Sequence, residues 1–109
     1  MDETEFARMA DVALRELAQA LETALDADDP DIELAGGILT LVLADKRKFI
    51  LNRHAPTRQI WLSSPVSGAS HYAFDGATQS WRSTRGPQVL ADQLAQDIAA
   101  AVGHPVAIG

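Results

Sequence analysis

Cysteine is absent from the 109-residue chain. This excludes disulfides, thiolate metal sites, an iron–sulfur cluster held by the protein's own thiolates, and a cysteine nucleophile. No apolar stretch approaches the roughly 20 residues that span a bilayer. The N-terminus, Met1-Asp2-Glu3-Thr4-Glu5, is acidic and has no apolar run, so no signal peptide is expected. The common catalytic and nucleotide-binding motifs are missing too. There is no Gly-x-Gly-x-x-Gly, no phosphate loop and no His-Glu-x-x-His, and no serine sits in Gly-x-Ser-x-Gly. Ser63-Ser64 with His71 does not have the spacing of a nucleophile pair. His54, His71 and His104 are scattered along the chain and read as surface or hydrogen-bonded histidines rather than ligands. Lys46-Arg47-Lys48 is too short a basic run for a nucleic-acid site, and no aromatic platform accompanies it. The expectation is a soluble cytoplasmic protein, not an enzyme, that binds neither nucleic acid nor membrane.

What is present is enough apolar residue, 47%, for one folded core. No repeat, linker or low-complexity segment divides residues 1–109, which read as a single domain. The net charge of −6 is unevenly placed. Residues 1–33 hold eleven acids and two bases, a net of −9, whereas residues 34–109 hold four acids and seven bases, a net of +3. An N-terminal third this acidic repels nucleic acid and anionic lipid, and attracts cations or a basic protein surface.

The periodicities give an order of elements. Phe6, Met9, Ala10, Ala13, Leu14, Leu17, Leu21 and Leu25 recur at three- and four-residue steps, predicting an amphipathic helix over about 4–26. Asp11, Arg15, Glu22 and Asp26 share a narrow arc of its other face, since eleven residues make about three turns. Asp28-Asp29-Pro30 stops it. Strands are expected at 32–35, 38–44, 48–52, 58–63, 70–74 and 79–82. Gly36-Gly37 makes the first hairpin, and Pro56, Pro65-Val66-Ser67-Gly68 and Asp75-Gly76 bound the later strands. Leu90, Leu94, Ile98 and Val102 predict a second helix over about 87–102, with Pro87 in its first turn and Gly103 at its C-terminal cap. Val106 and Ile108 give the tail something to pack. The fold class expected is α+β: a two-layer sandwich in which both helices cover one face of an antiparallel sheet of about six strands and leave the other face wet.

Two surfaces stand out. In Gln59-Ile60-Trp61-Leu62-Ser63 the period of two sends Ile60 and Leu62 to the core and Trp61 to the wet face. There Trp61 is either an anchor for a protein partner or a ring flattened by cross-strand packing, and the two are compatible. Trp81 reads as structural, and Tyr72 and Phe74 as core. The second surface is the acidic ridge. Carboxylates are hard oxygen ligands suited to iron, manganese, calcium or magnesium. Part of the ridge has local reasons. Asp2, Glu3 and Glu5 favour a helix N-terminus, and Asp28, Asp29 and Asp31 beside Pro30 are turn chemistry. Asp26 and Asp28, however, run against a local preference. They lie at or past the helix C-terminus, where the dipole disfavours acids, and an unfavourable local choice of this kind points to function. Asp31 and Glu33, two apart in a strand, project from one face. With no Asp-x-Asp-x-Asp-Gly calcium loop, any cation site is open, weak and unselective.

The run Asn52–Tyr72, NRHAPTRQIWLSSPVSGASHY, resembles the signature of the frataxin family, with its Asn, Pro, Gln-Ile-Trp-Leu, Ser-rich loop ending in Gly, and aromatic strand. Residues 31–40 resemble the family's first hairpin, Glu5–Asp11 the start of its first helix, and Trp81 the tryptophan of a late strand. The short N-terminus resembles the bacterial, CyaY-type branch. The resemblance implies a two-helix αβ sandwich that binds iron(II) and iron(III), weakly and reversibly, on the acidic ridge. It also implies docking on the cysteine desulfurase of iron–sulfur cluster assembly, beside the scaffold protein, and a monomeric state when iron-free. Carried over by position, the ridge candidates are Glu3, Asp11, Glu22, Asp29, Asp31 and Glu33, to which the local argument adds Asp26 and Asp28. Asn52, Gln59 and Trp61 match the family's exposed sheet surface. Where relatives often carry further acids, this chain has Ala18, Gln19 and Ala20, and a histidine of some relatives is Ala7 here. Two other readings stand beside the iron-responsive regulator. One is a ferroxidase or iron store acting as an oligomer, against which the lack of Glu-x-x-His speaks. The other is an acidic adaptor with no metal role.

Overall fold

A computed structural model describes residues 1–108. Helix α1 runs Glu3–Ala24. It starts where Asp2 Oδ1 accepts from the Glu5 backbone N–H at 2.7 Å, and Glu3 and Glu5 lie in the first turn, so the acidic N-terminus is helix-start chemistry. Phe6, Ala10, Leu14, Leu17, Leu21 and Leu25 are buried along one stripe, as their spacing requires. The helix ends two residues before the expected 26, and Asp26–Asp28 form a separate 3₁₀ turn closed by Asp29 in the left-handed region (φ 51). With no base in the last turn and acids crowded after it, the dipole favours this early stop.

The six strands β1 (Asp31–Ala35), β2 (Ile38–Val42), β3 (Lys48–His54), β4 (Gln59–Ser64), β5 (Gly68–Asp75) and β6 (Ser80–Ser83) form one antiparallel sheet in sequence order. Gly36 and Gly37 both have positive φ (60 and 78) and form the two-residue turn between Ala35 and Ile38, which the register pairs. Most strand ends shift from expectation by one or two residues. β2 stops at Val42, because Leu43 and Arg47 close the next turn by a backbone hydrogen bond of 2.9 Å. β3 runs on to His54. Arg58 is not in β4; it takes φ 55 after a 3₁₀ turn at Ala55–Thr57.

Helix α2 spans Leu90–Val102 and closes on Gly103 (φ 82), as expected of that glycine. Pro87 is not in its first turn. Val89 instead bridges to Arg82 in antiparallel fashion, so the chain is extended up to the helix. α1 packs on β1, β2 and β3, and α2 on β6. The register stacks Leu39, Leu51 and Leu62 in one row, Leu41 and Phe49 in another, and Ile60 and Tyr72 in a third, all buried beneath the helices. Trp81 (9% exposed) is a core ring, edge-on to Phe6 at 6.0 Å and to Phe74 at 5.5 Å. Ile108 of the tail joins the same core. Among the described residues no helix is long and apolar enough to cross a membrane.

Candidate functional site

The acids of the N-terminal third do not form one patch. By helical rise, Glu3 lies about 28 Å from Glu22 along α1. Asp11 sits mid-helix and accepts from Arg53 Nη1 at 2.7 Å. Asp28 is likewise engaged, its carboxylate 2.9–3.0 Å from His104 Nε2. The remainder come together at one end of α1. Glu22, Asp26, Asp29 and Asp31 line an open cleft of about 410 Å³ with Pro30 and Ile32. Asp31 pairs with Val42 and Glu33 with Thr40. Both therefore project onto the wet face of the sheet, while Ile32 and Leu34 point to the helices. The acidic surface thus wraps round the outer strand β1, with helix carboxylates on one side and strand carboxylates on the other. Among the described residues no cation lies within ion-pair distance of Glu22, Asp26, Asp29, Asp31 or Glu33. No three carboxylates or imidazoles among them converge tightly enough to cage an ion. Such an arrangement concentrates cations electrostatically and offers hard oxygens, without a fixed coordination geometry.

The wet face carries the second feature. Trp61 pairs with Asn52 on β3 and His71 on β5. Its ring stacks on His54 at 3.8 Å (15° between planes) and on His71 at 4.5 Å (29°). Its Nε1 donates to Gln59 Oε1 at 2.8 Å. Trp61 is therefore packed across strands between two imidazoles and half-buried. Beside it lies a shallow cleft of about 230 Å³ lined by Ile50, Asn52, Ser63, Ala69 and His71.

A model of the frataxin-like domain matches residues 1–104. The chain belongs to the frataxin family. It is 44% identical to the iron-sulfur cluster assembly protein CyaY of Dechloromonas aromatica, over 86% of each chain. It is 35% identical to the mitochondrial frataxin homolog of Schizosaccharomyces pombe, over 97% of this chain and 69% of that one. The frataxin of Psychromonas ingrahamii superposes with a TM-score of 0.88 at 25% identity, covering 100% of this chain and 99% of the other. A trimeric frataxin of Saccharomyces cerevisiae, described as complexed with ferrous, superposes with a TM-score of 0.77 at 32% identity over 87% and 86%. The fold expected from the resemblance is the one found.

Within this frataxin fold, several contacts were not anticipated. The three histidines are not scattered. Two flank Trp61, and the third reaches the α1 end from the tail. Protonation of His104 is favoured, first by the Pro105 carbonyl it faces and then by Asp28. Asp97 of α2 is 3% exposed. It accepts from Ser67 Oγ of the Ser-rich β4–β5 loop and from Gln93 Nε2 at 2.9 Å, and so ties that loop to the helix. Ser64 Oγ in turn accepts from the Val66 and Ser67 backbone N–H groups. Burial pushes the Tyr72 phenol up, and the Asp97 carboxylate adds to this. Only the contact between the loop and α2 reveals Asp97. Its position, one residue before buried Ile98, was the sequence signal available.

Proposed function

We propose that this protein is a non-enzymatic, iron-responsive regulator of iron–sulfur cluster assembly. The observation that carries the reading is the set of unpaired carboxylates wrapped round β1, in a chain of the frataxin family. Iron is the cargo or signal. It binds weakly to Glu22, Asp26, Asp29, Asp31 and Glu33, while Glu3 lies outside this group and Asp11 and Asp28 are reached only by displacing Arg53 or His104. The same negative field meets a basic surface of the cysteine desulfurase, and Asn52, Gln59 and Trp61 face the scaffold side of that complex. Relatives named for iron–sulfur cluster assembly and a relative crystallised with ferrous iron support this reading.

Two experiments test it. Anaerobic iron(II) titration followed by amide NMR should broaden residues about 22–33 and leave Trp61 and α2 unaffected, with magnesium as the control. An equal effect of magnesium, or none from iron, reduces the ridge to a docking surface. Replacing Asp29, Asp31 and Glu33 together by lysine should weaken desulfurase binding, and the parent interaction should weaken with salt. Undiminished binding of the triple variant contradicts the docking reading. The trimeric yeast relative keeps an oligomeric, iron-oxidising alternative open to test. That alternative predicts saturable oxygen consumption with iron(II) and an iron-dependent rise in mass.

A further inference from the structure

Asp97 is 3% exposed on the buried stripe of α2, with Leu94 and Ile98. Among the described residues no cation lies within ion-pair distance of it. Its two oxygens are met by neutral donors. Oδ1 accepts from Gln93 Nε2 at 2.9 Å, one turn back on the same helix, and Oδ2 accepts from Ser67 Oγ. A carboxylate is costly to bury on such terms, and an apolar side chain of similar volume would pack there without the penalty. A locally unfavourable residue of this kind points to a use.

The use lies at the other end of the Ser67 bond. Residues 64–68 close the β4–β5 hairpin, with Ser64 paired to Gly68. The tip of this loop, Pro65 and Val66, is exposed. Inside the loop, Ser64 Oγ accepts from the Val66 and Ser67 backbone N–H groups at 3.1 and 3.2 Å. Among the described residues, the bond from Ser67 to Asp97 is the one side-chain hydrogen bond that joins the loop to another element. The next pair inward, Ser63 and Ala69, lines the cleft beside Trp61. Asp97 thus sits on the helix side of the sheet, one hydrogen bond and one residue pair away from the cleft on the wet face. An open loop would leave Oδ2 buried without a donor, so the carboxylate favours the closed loop.

We propose that Asp97 is a positioning residue: it latches the β4–β5 loop shut from the helix layer and so fixes the rim of the cleft that a protein partner meets beside Trp61. Ser67 supplies the donor, and Ser64 holds the loop in the turn that brings this donor to Asp97. With the loop shut before contact, little backbone freedom is left to lose on binding. The proposal rests on the reading of Asn52, Gln59 and Trp61 as a partner surface and adds the residue that shapes that surface from behind.

The decisive variant is Asp97→Leu. It removes the acceptor and fills its place with an apolar side chain, so its stability should equal or exceed the parent's, whereas its loop should open. Amide exchange at Val66 and Ser67 should quicken about tenfold. The Ser63 and Ala69 amide resonances and the Trp61 indole N–H should move. Affinity for the desulfurase–scaffold complex should fall about fivefold to tenfold. Asp97→Asn keeps an oxygen for Ser67 and should return exchange, resonances and affinity close to the parent's. Ser67→Ala cuts the same bond from the exposed side and serves if Asp97→Leu does not fold. Where both fold, the double variant should do no more than either alone. Unchanged exchange at Val66 and Ser67, or cleft resonances that stay in place while exchange quickens, overturns the proposal. So does a parent-like affinity in Asp97→Leu. A parent protein that fails to bind the complex refutes the function proposed above, and the exchange and resonances of the free protein still decide the latch.

Discussion

The tryptophans show how two like residues are put to different uses by their neighbours. Trp81 lies edge-on to Phe6 and Phe74 inside the core, so Trp81→Ala should lose about 3–5 kcal/mol of stability in chemical denaturation. Trp61 borders water on the wet face, and Trp61→Ala should lose markedly less, leaving a folded protein in which only the proposed partner surface is impaired. Equal losses for the two would deny Trp61 its accessible role. His104 offers a test by pH. Its folded-state pKa is raised by the Pro105 carbonyl and Asp28. Its stabilising contribution is therefore complete below the ordinary imidazole range and fades as pH rises through the higher folded-state value. His104→Gln and Asp28→Asn should both lower the denaturation midpoint at acidic pH and match the parent at alkaline pH. A difference that is the same at every pH would mean that His104 acts by packing alone.

Among the elements, the tight β1–β2 turn is the most exacting. A Cβ on Gly37 (φ +78) would collide with the Arg53 side chain, whereas one on Gly36 (φ +60) meets nothing within 4 Å. Gly36→Ala should cost about 1 kcal/mol for the left-handed backbone alone. Gly37→Ala should cost about 2–3 kcal/mol, because Arg53 must also leave Asp11, and the comparison of the two midpoints checks this. This turn was legible in the sequence, as were α1 and the strand order. Each follows from local spacing, because sequential hairpins leave few alternative pairings. The start of α2 was misread because Val89 is claimed by Arg82, a contact seven residues away that a proline preference does not register. The site was half legible. Acidic residues announce themselves in one dimension, and the period of two placed Trp61 correctly. The partners of His54, His71, Asp97 and Asp11 did not, since each is brought in by another strand, loop or tail.

At the scale of the whole molecule, the net charge of −6 is a self-repulsion, densest where Glu22, Asp26, Asp29 and Asp31 meet at the end of α1. The acids after α1 also oppose its dipole. Asp26→Lys should therefore stabilise the fold by about 0.5–1 kcal/mol, raising the melting temperature by several degrees in a domain of this size. Sodium chloride should stabilise the parent more than the variant. Thermal melts across a salt series measure both. A variant less stable than its parent would show that Asp26 has a structural partner the contacts do not reveal.

β1 is the first strand of an open sheet, and among the described residues one side of its backbone has no neighbouring strand. An edge of that kind invites a strand from a second molecule, the first step toward aggregates. Asp31 and Glu33 stand on that edge, with Asp29 just before it, and an approaching copy would bring its own acids against them. A cation bound there would cancel the repulsion and open the edge at the same moment. The carboxylates suited to gather metal thus also keep the molecules apart, and a chain saturated with metal would be the one most exposed to clumping.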